Sequence, residues 1–252
     1  MNLFYRSEGA GPPLIILHGL FGSADNWATI AKKLGARRKI YLVDQRNHGM
    51  SPHSNEFNYA AMVDDLYFFI KQHDILRPDI LGHSMGGKVA MFFAIKYPDK
   101  INRLIVVDIG PKQYPIHHDV ILEGLKDIDV GRLQSRKEAD VQLANYVEYE
   151  STRQFLLKNL KRTANGFEWK MNLAVIYKQV ANVGEGLSVD DSFTHDTIFI
   201  RGSKSSYILD EDLAGIRQHF PNSSLETISD ADHWVHAEQP IALVNTIENF
   251  LG

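Results

Sequence analysis

The stretch 79-DILGHSMGGKVAMFFA-94 decides the fold, because it joins an apolar strand to an apolar helix through a glycine-rich corner. Ile80 and Leu81 are typical of the end of a buried strand, and residues 89–94 are typical of a helix. Two patterns fit the corner. One is Gly-x-Ser-x-Gly, a strained turn that exposes a nucleophilic serine, and the other is the phosphate loop Gly-x-x-x-x-Gly-Lys-Ser/Thr.

The phosphate-loop pattern fits Gly82 to Lys88 and fails at the next position. Residue 89 is valine, where the motif requires a hydroxyl group to ligate magnesium. The sequence LIVVD at 104–108 resembles the aspartate-tipped strand of such proteins. However, this pattern leaves His18-Gly19 and the late sequence DADHWVH unexplained, so we favour the serine turn.

The serine turn gives each residue of the corner a role. A serine at positive φ crowds its neighbours, and glycine at 82 and 86 removes the β-carbons that would collide. Ser84 then lies at the carboxyl edge of the sheet with its Oγ exposed. The amide of Met85 lies in the first helical turn, where it can stabilise a developing oxyanion. The simpler alternative is an ordinary helix start with Ser84 as N-cap.

Composition narrows the functional classes. The 252 residues are 44% apolar and 23% charged, and the net charge of −4 gives no electrostatic case for binding nucleic acid. The absence of cysteine excludes disulfides, metal–thiolate sites and a thiol nucleophile. The first residues, MNLFYRSEGAG, do not have the pattern of a signal peptide, and no apolar run is long enough to span a bilayer. We expect a cytoplasmic protein.

Strand-like and helix-like segments alternate along much of the chain. The predicted strands are 13–19, 39–45, 78–84, 102–108, 196–202 and 224–230, with a further edge strand at 3–6. The predicted helices between them are 26–34, 59–73, 86–97, 210–219 and 240–251. This alternation predicts an α/β fold with a mostly parallel sheet covered on both faces.

Residues 111–195 interrupt this alternation. They contain no strong strand apart from a short one near 167–171, and the predicted helices are 116–127, 136–148, 150–162 and 172–182. Insertions of this length between two sheet strands often form lids over sites. We therefore predict a core of residues 1–110 and 196–252 with a helical cap at 111–195.

The remaining groups of a serine hydrolase have candidates near other predicted strand ends. In LIILHGLFGSADNW, the chain turns after His18-Gly19, and the Leu20 amide is the first candidate for a second oxyanion donor, with Phe21 next. His233 in SDADHWVHAEQP follows a strand directly and suits a mobile base. His236 lies nearer the final helix and is expected to pack there.

Five motifs in order resemble the α/β-hydrolase superfamily: HGLFGS, VDQRNHGMSP, GHSMGG, VVDIGP and DADHWVHAEQP. Within that superfamily the motifs resemble those of small bacterial YbfF-type carboxylesterases and their mitochondrial relatives. The resemblance implies the hydrolase sheet of eight strands with its first strand reduced or missing, and a helical cap. It also implies Ser84 as nucleophile, His233 as base and the amides of Leu20 and Met85 as oxyanion donors.

The triad acid departs from the commonest superfamily pattern. Many members carry an aspartate in the turn after the strand TIFIRG, whereas this chain reads GSKSSY at 202–207. Asp108 ends the strand after the nucleophile's own, so its carboxylate is expected at the same sheet edge as Ser84. Asp210 is the alternative, although it is better explained as the start of a helix.

These residues predict a serine carboxylesterase for small to medium acyl esters, or acyl thioesters, that needs no cofactor and no metal. The candidate substrate contacts are Phe21, Trp169, Tyr207 and Trp234. Five cap residues are consistent with an apolar acyl pocket and, equally for each one, with packing of the cap on the core: Tyr114, Phe155, Trp169, Leu173 and Tyr177. Five cations are either candidates to meet an anionic thioester or, more commonly for such a set, a solvated helix face: Arg153, Lys158, Lys161, Arg162 and Lys170.

Two other functions share this framework. One is a hydrolase-fold receptor that holds a ligand with little turnover, and the other is a carbon–carbon bond hydrolase on the same triad. Turnover of a generic aryl ester distinguishes the receptor from the esterase. A small-molecule ester is the expected partner, and the chain is expected to be a monomer or a small homo-oligomer.

Overall fold

A seven-stranded sheet forms the centre of the computed structural model, which describes residues 1–115, 118–164 and 166–252. Within these ranges the strands are β1 (Tyr5–Glu8), β2 (Pro13–Leu17), β3 (Lys39–Val43), β4 (Asp79–His83), β5 (Leu104–Val107), β6 (Leu160–Thr163), β7 (Gly166–Trp169), β8 (Thr197–Gly202) and β9 (Ser223–Ile228). The sheet order is β1-β3-β2-β4-β5-β8-β9, and β6 and β7 form a separate hairpin. Only β1 runs antiparallel to its neighbour in the sheet.

Helices cover both faces of the sheet. The α-helices of the described residues are α1 (Ala28–Leu34), α2 (Tyr59–Gln72), α3 (Met85–Lys96), α4 (Asp119–Asp127), α5 (Arg136–Leu143), α6 (Glu150–Leu157), α7 (Leu173–Gln179), α8 (Leu213–His219), α9 (Val235–Glu238) and α10 (Pro240–Leu251). Successive residues of β2 alternate between the two cores. Leu14 and Ile16 belong to the core with α1 and α10, and Ile15 and Leu17 belong to the core with α2 and α3.

The predicted α/β fold with a mostly parallel, doubly covered sheet is confirmed. The predicted strands and helices of the core agree with the observed ones to within about two residues at most ends. The edge strand lies at Tyr5–Glu8, slightly later than the predicted 3–6. The sheet has seven strands in the described residues, as expected for a hydrolase sheet that lacks its first strand.

The segment between β5 and β8 differs more from prediction. The predicted helix 150–162 ends at Leu157, and residues 160–163 form β6, paired with β7. Gly166, the first residue of β7, has φ 127°, a conformation that favours glycine, and it pairs with Thr163 of β6. The predicted helices 136–148 and 172–182 are also shorter, at Arg136–Leu143 and Leu173–Gln179. Of the predicted helix 116–127, residues 116 and 117 lie outside the described residues, and α4 begins at Asp119.

The carboxyl ends of the parallel strands lie at one edge of the sheet. In the chain, the 111–195 segment follows the carboxyl end of β5 and precedes β8. The ends of β2, β4 and β5 lead directly into His18, Ser84 and Asp108. No helix among the described residues is both long enough and apolar enough to cross a membrane.

Candidate active site

Ser84 occupies a strained turn between β4 and α3. Its backbone has φ 52° and ψ −121°, and its amide donates to Val107 O at 3.0 Å. A β-carbon on Gly82 would lie 2.1 Å from Gly86 O, and one on Gly86 would lie 2.3 Å from Leu17 O. The first contact is the predicted collision within the turn. The second shows that glycine at 86 also allows the helix to approach the end of β2.

The imidazole of His233 lies between Ser84 and Asp108. His233 Nε2 is 3.0 Å from Ser84 Oγ, and its Nδ1 is 2.7 Å from Asp108 Oδ2. These distances allow the serine hydroxyl to donate to Nε2 while Nδ1–H donates to the carboxylate. The ring is stacked on Tyr207 with 3.9 Å between centroids. Side chains from three distant parts of the chain therefore form one hydrogen-bonded line.

The carboxylate of Asp108 is fully buried and accepts two further hydrogen bonds. Ser205 Oγ donates to Oδ2 at 2.5 Å, and the Gly202 amide donates to Oδ1 at 3.1 Å. Ser205 belongs to the GSKSSY turn, where the commonest pattern would place the acid itself. Asp210 instead forms an exposed ion pair with Arg201 at 2.7 Å. The structure thus brings Asp108, and not Asp210, to His233.

The two candidate oxyanion amides flank Ser84. Met85 is the first residue of α3, so its amide has no intrahelical acceptor. Leu20 lies in a β-turn closed by a bond from Gly22 N to Gly19 O at 3.0 Å, and no hydrogen bond from its amide is found to the described part of the chain. The Phe21 amide, our second candidate, donates to His48 Nε2 at 3.2 Å and is therefore engaged elsewhere.

Buried neutral histidines hold the loop that carries Leu20. The Gln45 amide donates to His18 Nε2 at 3.0 Å, and His18 Nδ1 lies 2.8 Å from Gly19 O. Burial lowers the pKa of His18 to about 4 and the pKa of His48 to about 3. Both rings therefore stay neutral near pH 7, which leaves one nitrogen of each free to accept an amide proton.

Two more histidines lie near the base. His83 Nε2 donates to His233 O at 2.8 Å and so fixes the backbone beneath the imidazole. His236 is buried and stacked on Trp27, with 4.6 Å between ring centroids, and burial lowers its pKa to about 3. His236 is thus a packing residue, as the sequence predicts.

An apolar cavity of about 470 Å³ opens onto Ser84 and His233. Three of the four candidate substrate contacts line it, namely Phe21, Tyr207 and Trp234. The expectation for Trp169 is wrong, because Trp169 lines a separate surface groove with Leu173 and Tyr177. Trp169 lies in β7, at the place of the short strand predicted near 167–171, and pairs with Leu160 of β6.

Of the other residues predicted for the acyl pocket, two lie near Ser84. Phe155 lines the cavity and packs against Trp234 at 5.6 Å between centroids, and Tyr114 lines a smaller chamber next to Ser84. Among the described lining residues of the large cavity none of the five proposed cations appears, namely Arg153, Lys158, Lys161, Arg162 and Lys170. Arg153 is paired with Asp140 at 2.9 Å, and Lys161 is paired with Glu168 at 3.0 Å.

Sequence reasoning missed two residues that support the turn at 19–22. His48 accepts the amide of Phe21, and Asn159 Nδ2 donates to the carbonyl of the same residue at 2.7 Å. The motif VDQRNHGMSP marked the region of His48 without a role for it. Nothing local marked Asn159, because its partner lies 138 positions away in the chain.

The chain is similar to known hydrolases over nearly its whole length. Residues 12–240 match a family model described as the alpha/beta hydrolase fold. The chain is 38% identical to the sn-1-specific diacylglycerol lipase ABHD11 of Danio rerio over 100% of this chain and 83% of that protein. It is 34% identical to esterase YbfF of Escherichia coli over the full length of both. A solved esterase from a marine microorganism is 42% identical with a TM-score of 0.96, covering 98% of each chain.

Proposed function

This chain belongs to the alpha/beta hydrolase fold family, and on that premise we propose that it is a serine carboxylesterase in which Ser84, His233 and Asp108 form the catalytic triad. Its similarity to esterases and lipases makes it a hydrolase enzyme of that type. The observation that carries the finer proposal is the hydrogen-bonded line from Ser84 Oγ through His233 to Asp108 at the mouth of an apolar cavity.

The geometry supports acyl transfer in two steps. His233 Nε2 takes the proton of Ser84 as its Oγ attacks the ester carbonyl, and the amides of Leu20 and Met85 stabilise the oxyanion. The imidazolium then donates this proton to the leaving alcohol oxygen, which leaves an acyl-enzyme. A water molecule loses a proton to His233, attacks the acyl carbon and releases the carboxylic acid, after which Ser84 regains its proton.

Asp108 and the cap have supporting roles in this proposal. The carboxylate keeps the proton on Nδ1, so that Nε2 faces Ser84, and it stabilises the imidazolium. Residues 111–195 act as the cap that supplies part of the cavity wall. Because the proposed cap cations do not line the cavity, the arrangement favours apolar esters of small to medium acyl chain over anionic thioesters.

Replacing the nucleophile tests the proposal. Ser84→Ala should lower kcat for 4-nitrophenyl acetate by about 10⁴- to 10⁶-fold, because the attacking oxygen is lost. The Tm should stay close to that of the wild type. The matched control is Ser203→Ala, since Ser203 lies on an exposed part of the 202–207 turn. More than a tenth of wild-type turnover in Ser84→Ala would contradict the serine mechanism.

Covalent labelling separates the enzyme from the receptor alternative. A fluorophosphonate should add at Ser84, and peptide mapping should find the adduct there in the wild type and not in Ser84→Ala. Sustained turnover of 4-nitrophenyl acetate supports the esterase. A single stoichiometric burst with no turnover would support the receptor instead.

A further inference from the structure

Two chambers of very different size meet at Ser84. The larger has a volume of about 470 Å³ and is lined by His233 and Trp234, among others. The smaller has a volume of about 30 Å³, and Leu20 and Met85 form part of its wall. An ester that is bound at Ser84 must place its acyl group in one chamber and its alcohol group in the other.

The position of His233 decides which chamber holds the alcohol group of the ester and which holds the acyl group. In the tetrahedral intermediate the leaving oxygen must face His233 Nε2, because this nitrogen returns the proton. Among the described residues, His233 lines the larger chamber and does not line the smaller one. The alcohol group therefore occupies the larger chamber. The oxyanion is held by the amides of Leu20 and Met85, so the acyl chain is left with the small chamber.

The small chamber has room for a very short chain. With a volume of about 30 Å³ against about 470 Å³, this chamber is suited to the smaller of the two groups. This is enough for the methyl or ethyl group of an acetyl or propionyl ester. Val180 and Ile109 are buried in its wall and would collide with a longer chain.

Hydrogen bonds keep these walls in place. Tyr59 OH donates to Val183 O at 2.6 Å, and Tyr114 OH donates to Tyr207 O at 2.6 Å. Tyr114 also accepts the amide of Gly110 at 2.8 Å. Widening the chamber would separate buried polar groups from their partners, which is costly. The small volume is therefore fixed by the fold and not by loosely packed side chains.

We propose that the enzyme prefers esters with an acyl group of two or three carbons, which occupies the small chamber, and a bulky apolar alcohol group, which occupies the large chamber. This inference rests on the proposed serine mechanism, since it assigns the alcohol through the proton that His233 returns. It narrows the acyl range and makes the two halves of the substrate non-equivalent.

A pair of isomeric esters tests the assignment in the wild-type enzyme. Benzyl acetate and methyl phenylacetate contain the same atoms with the bulky group on opposite sides of the ester. We expect kcat/KM, divided by the rate of alkaline hydrolysis of each ester, to favour benzyl acetate by about 10-fold or more. A ratio near one, or a preference for methyl phenylacetate, would overturn the assignment and leave the serine mechanism intact.

Hydrolysis of the two isomers, combined with fluorophosphonate labelling, distinguishes failure of the serine mechanism from failure of the chamber assignment. If neither ester is hydrolysed and fluorophosphonate does not label Ser84, then the proposed function falls and the inference falls with it. If Ser84 is labelled and 4-nitrophenyl acetate is turned over but neither isomer is hydrolysed, only the chamber assignment is overturned, because benzyl acetate should fit both chambers.

Matched valine substitutions test the chamber walls. Val180→Ala enlarges the small chamber, and we expect the ratio of kcat/KM for 4-nitrophenyl hexanoate to that for 4-nitrophenyl acetate to rise by about 10-fold. The control is Val147→Ala, which removes the same atoms from the large chamber and should leave this ratio unchanged. Equal effects of the two variants would contradict the inference. If Val180→Ala does not fold, the two isomeric esters still test the chamber assignment in the wild-type enzyme.

Discussion

Two residues at the carboxyl edge of the sheet have strained backbones, which hydrogen bonds to neighbouring strands stabilise. Ser84 and Asp108 both have positive φ, at 52° and 53°, where residues other than glycine are disfavoured. The amide of Ser84 is bound to Val107 O, and the amide of Asp108 is bound to Ile200 O at 2.8 Å. Such strain is concentrated at sites where a side chain must be aimed, which fits the proposed roles of both residues.

The choice of acid is testable with two isosteric changes. Asp108→Asn should lower kcat by about 10²- to 10⁴-fold, because an amide cannot keep the proton on Nδ1 of His233 or stabilise the imidazolium. Asp210→Asn should stay near the wild type, since Asp210 pairs with Arg201 on an exposed surface. Steady-state kinetics on 4-nitrophenyl acetate measure both. The reverse order of the two effects would assign the acid to Asp210.

Ser205 is predicted to position Asp108. Ser205→Ala removes the hydrogen bond to Asp108 Oδ2 and should lower kcat about 10-fold with little change in KM, as expected for one bond to a charged group. Ser205→Thr should recover most of the loss. Ser203→Ala, in the same turn but bonded to the Asp230 amide, serves as control. Equal losses for both alanine variants would indicate a general effect on the loop.

At the scale of secondary-structure elements, the turn Gly19–Gly22 is held from two sides. Phe21 lies at its third position with φ 60°, a conformation that glycine normally supplies in such a turn. His48, on the loop after β3, accepts its amide, and Asn159, after α6, donates to its carbonyl. The 111–195 segment is thus hydrogen-bonded, through Asn159, to the turn that carries the Leu20 amide.

This contact predicts a catalytic effect for a residue far from the substrate. Asn159→Ala should lower kcat about 10-fold, and weaken binding of a trifluoromethyl ketone by a similar factor, while KM changes little. The reason is that Phe21 can then relax and move the Leu20 amide from its position. Inhibition constants and kcat together distinguish this from a simple loss of stability.

Asn182→Ala is the matched control for this prediction. Its side chain donates to the carbonyl of Phe57 at 2.9 Å, so it also links the 111–195 segment to an earlier part of the chain through one asparagine, but not at the turn. It should change Tm and leave the inhibitor affinity close to that of the wild type. Parallel losses of inhibitor affinity in both variants would refute a specific link between Asn159 and the turn.

At the scale of the whole molecule, four buried histidines link stability to pH. Burial lowers the pKa of His18 to about 4 and that of His48 and His236 to about 3, and it lowers the pKa of His83 well below its ordinary value. In the unfolded chain these groups titrate near pH 6.5. Their folded pKa values are depressed, so their contribution to stability is complete above about pH 6.5 and is lost as the pH falls towards 3.

Acid unfolding should therefore be steep and should depend on each histidine. His236→Phe keeps the stack on Trp27 and removes one group that titrates, so the free energy of unfolding should fall less steeply between pH 6 and 4. The difference in slope should be about 1.4 kcal/mol per pH unit at most, the value for one proton. Urea unfolding across this range measures it, with the two proteins compared at pH 8 as a reference. Identical slopes would show that His236 does not take up a proton on unfolding.

The sequence alone determined the features that depend on neighbouring residues. Apolar periodicity predicted the strands and helices of the core, because the period of a strand or helix is read over only a few residues. Gly82 marks the turn at Ser84, because its close contact with Gly86 is local, whereas the close contact of Gly86 with Leu17 depends on packing against β2. The strand ends also predicted that Ser84, Asp108 and His233 would meet, and the structure places them within hydrogen-bonding distance. Their catalytic roles stay predictions.

Only the tertiary structure decided the features that arise between distant residues. It directed Trp169 away from the cavity, paired Asn159 with Phe21, and divided the space at Ser84 into two unequal chambers. The volume of a cavity depends on how side chains from many elements pack, and no local pattern encodes it. Local sequence therefore fixes which chemical groups reach the sheet edge, while long-range packing fixes the space around them.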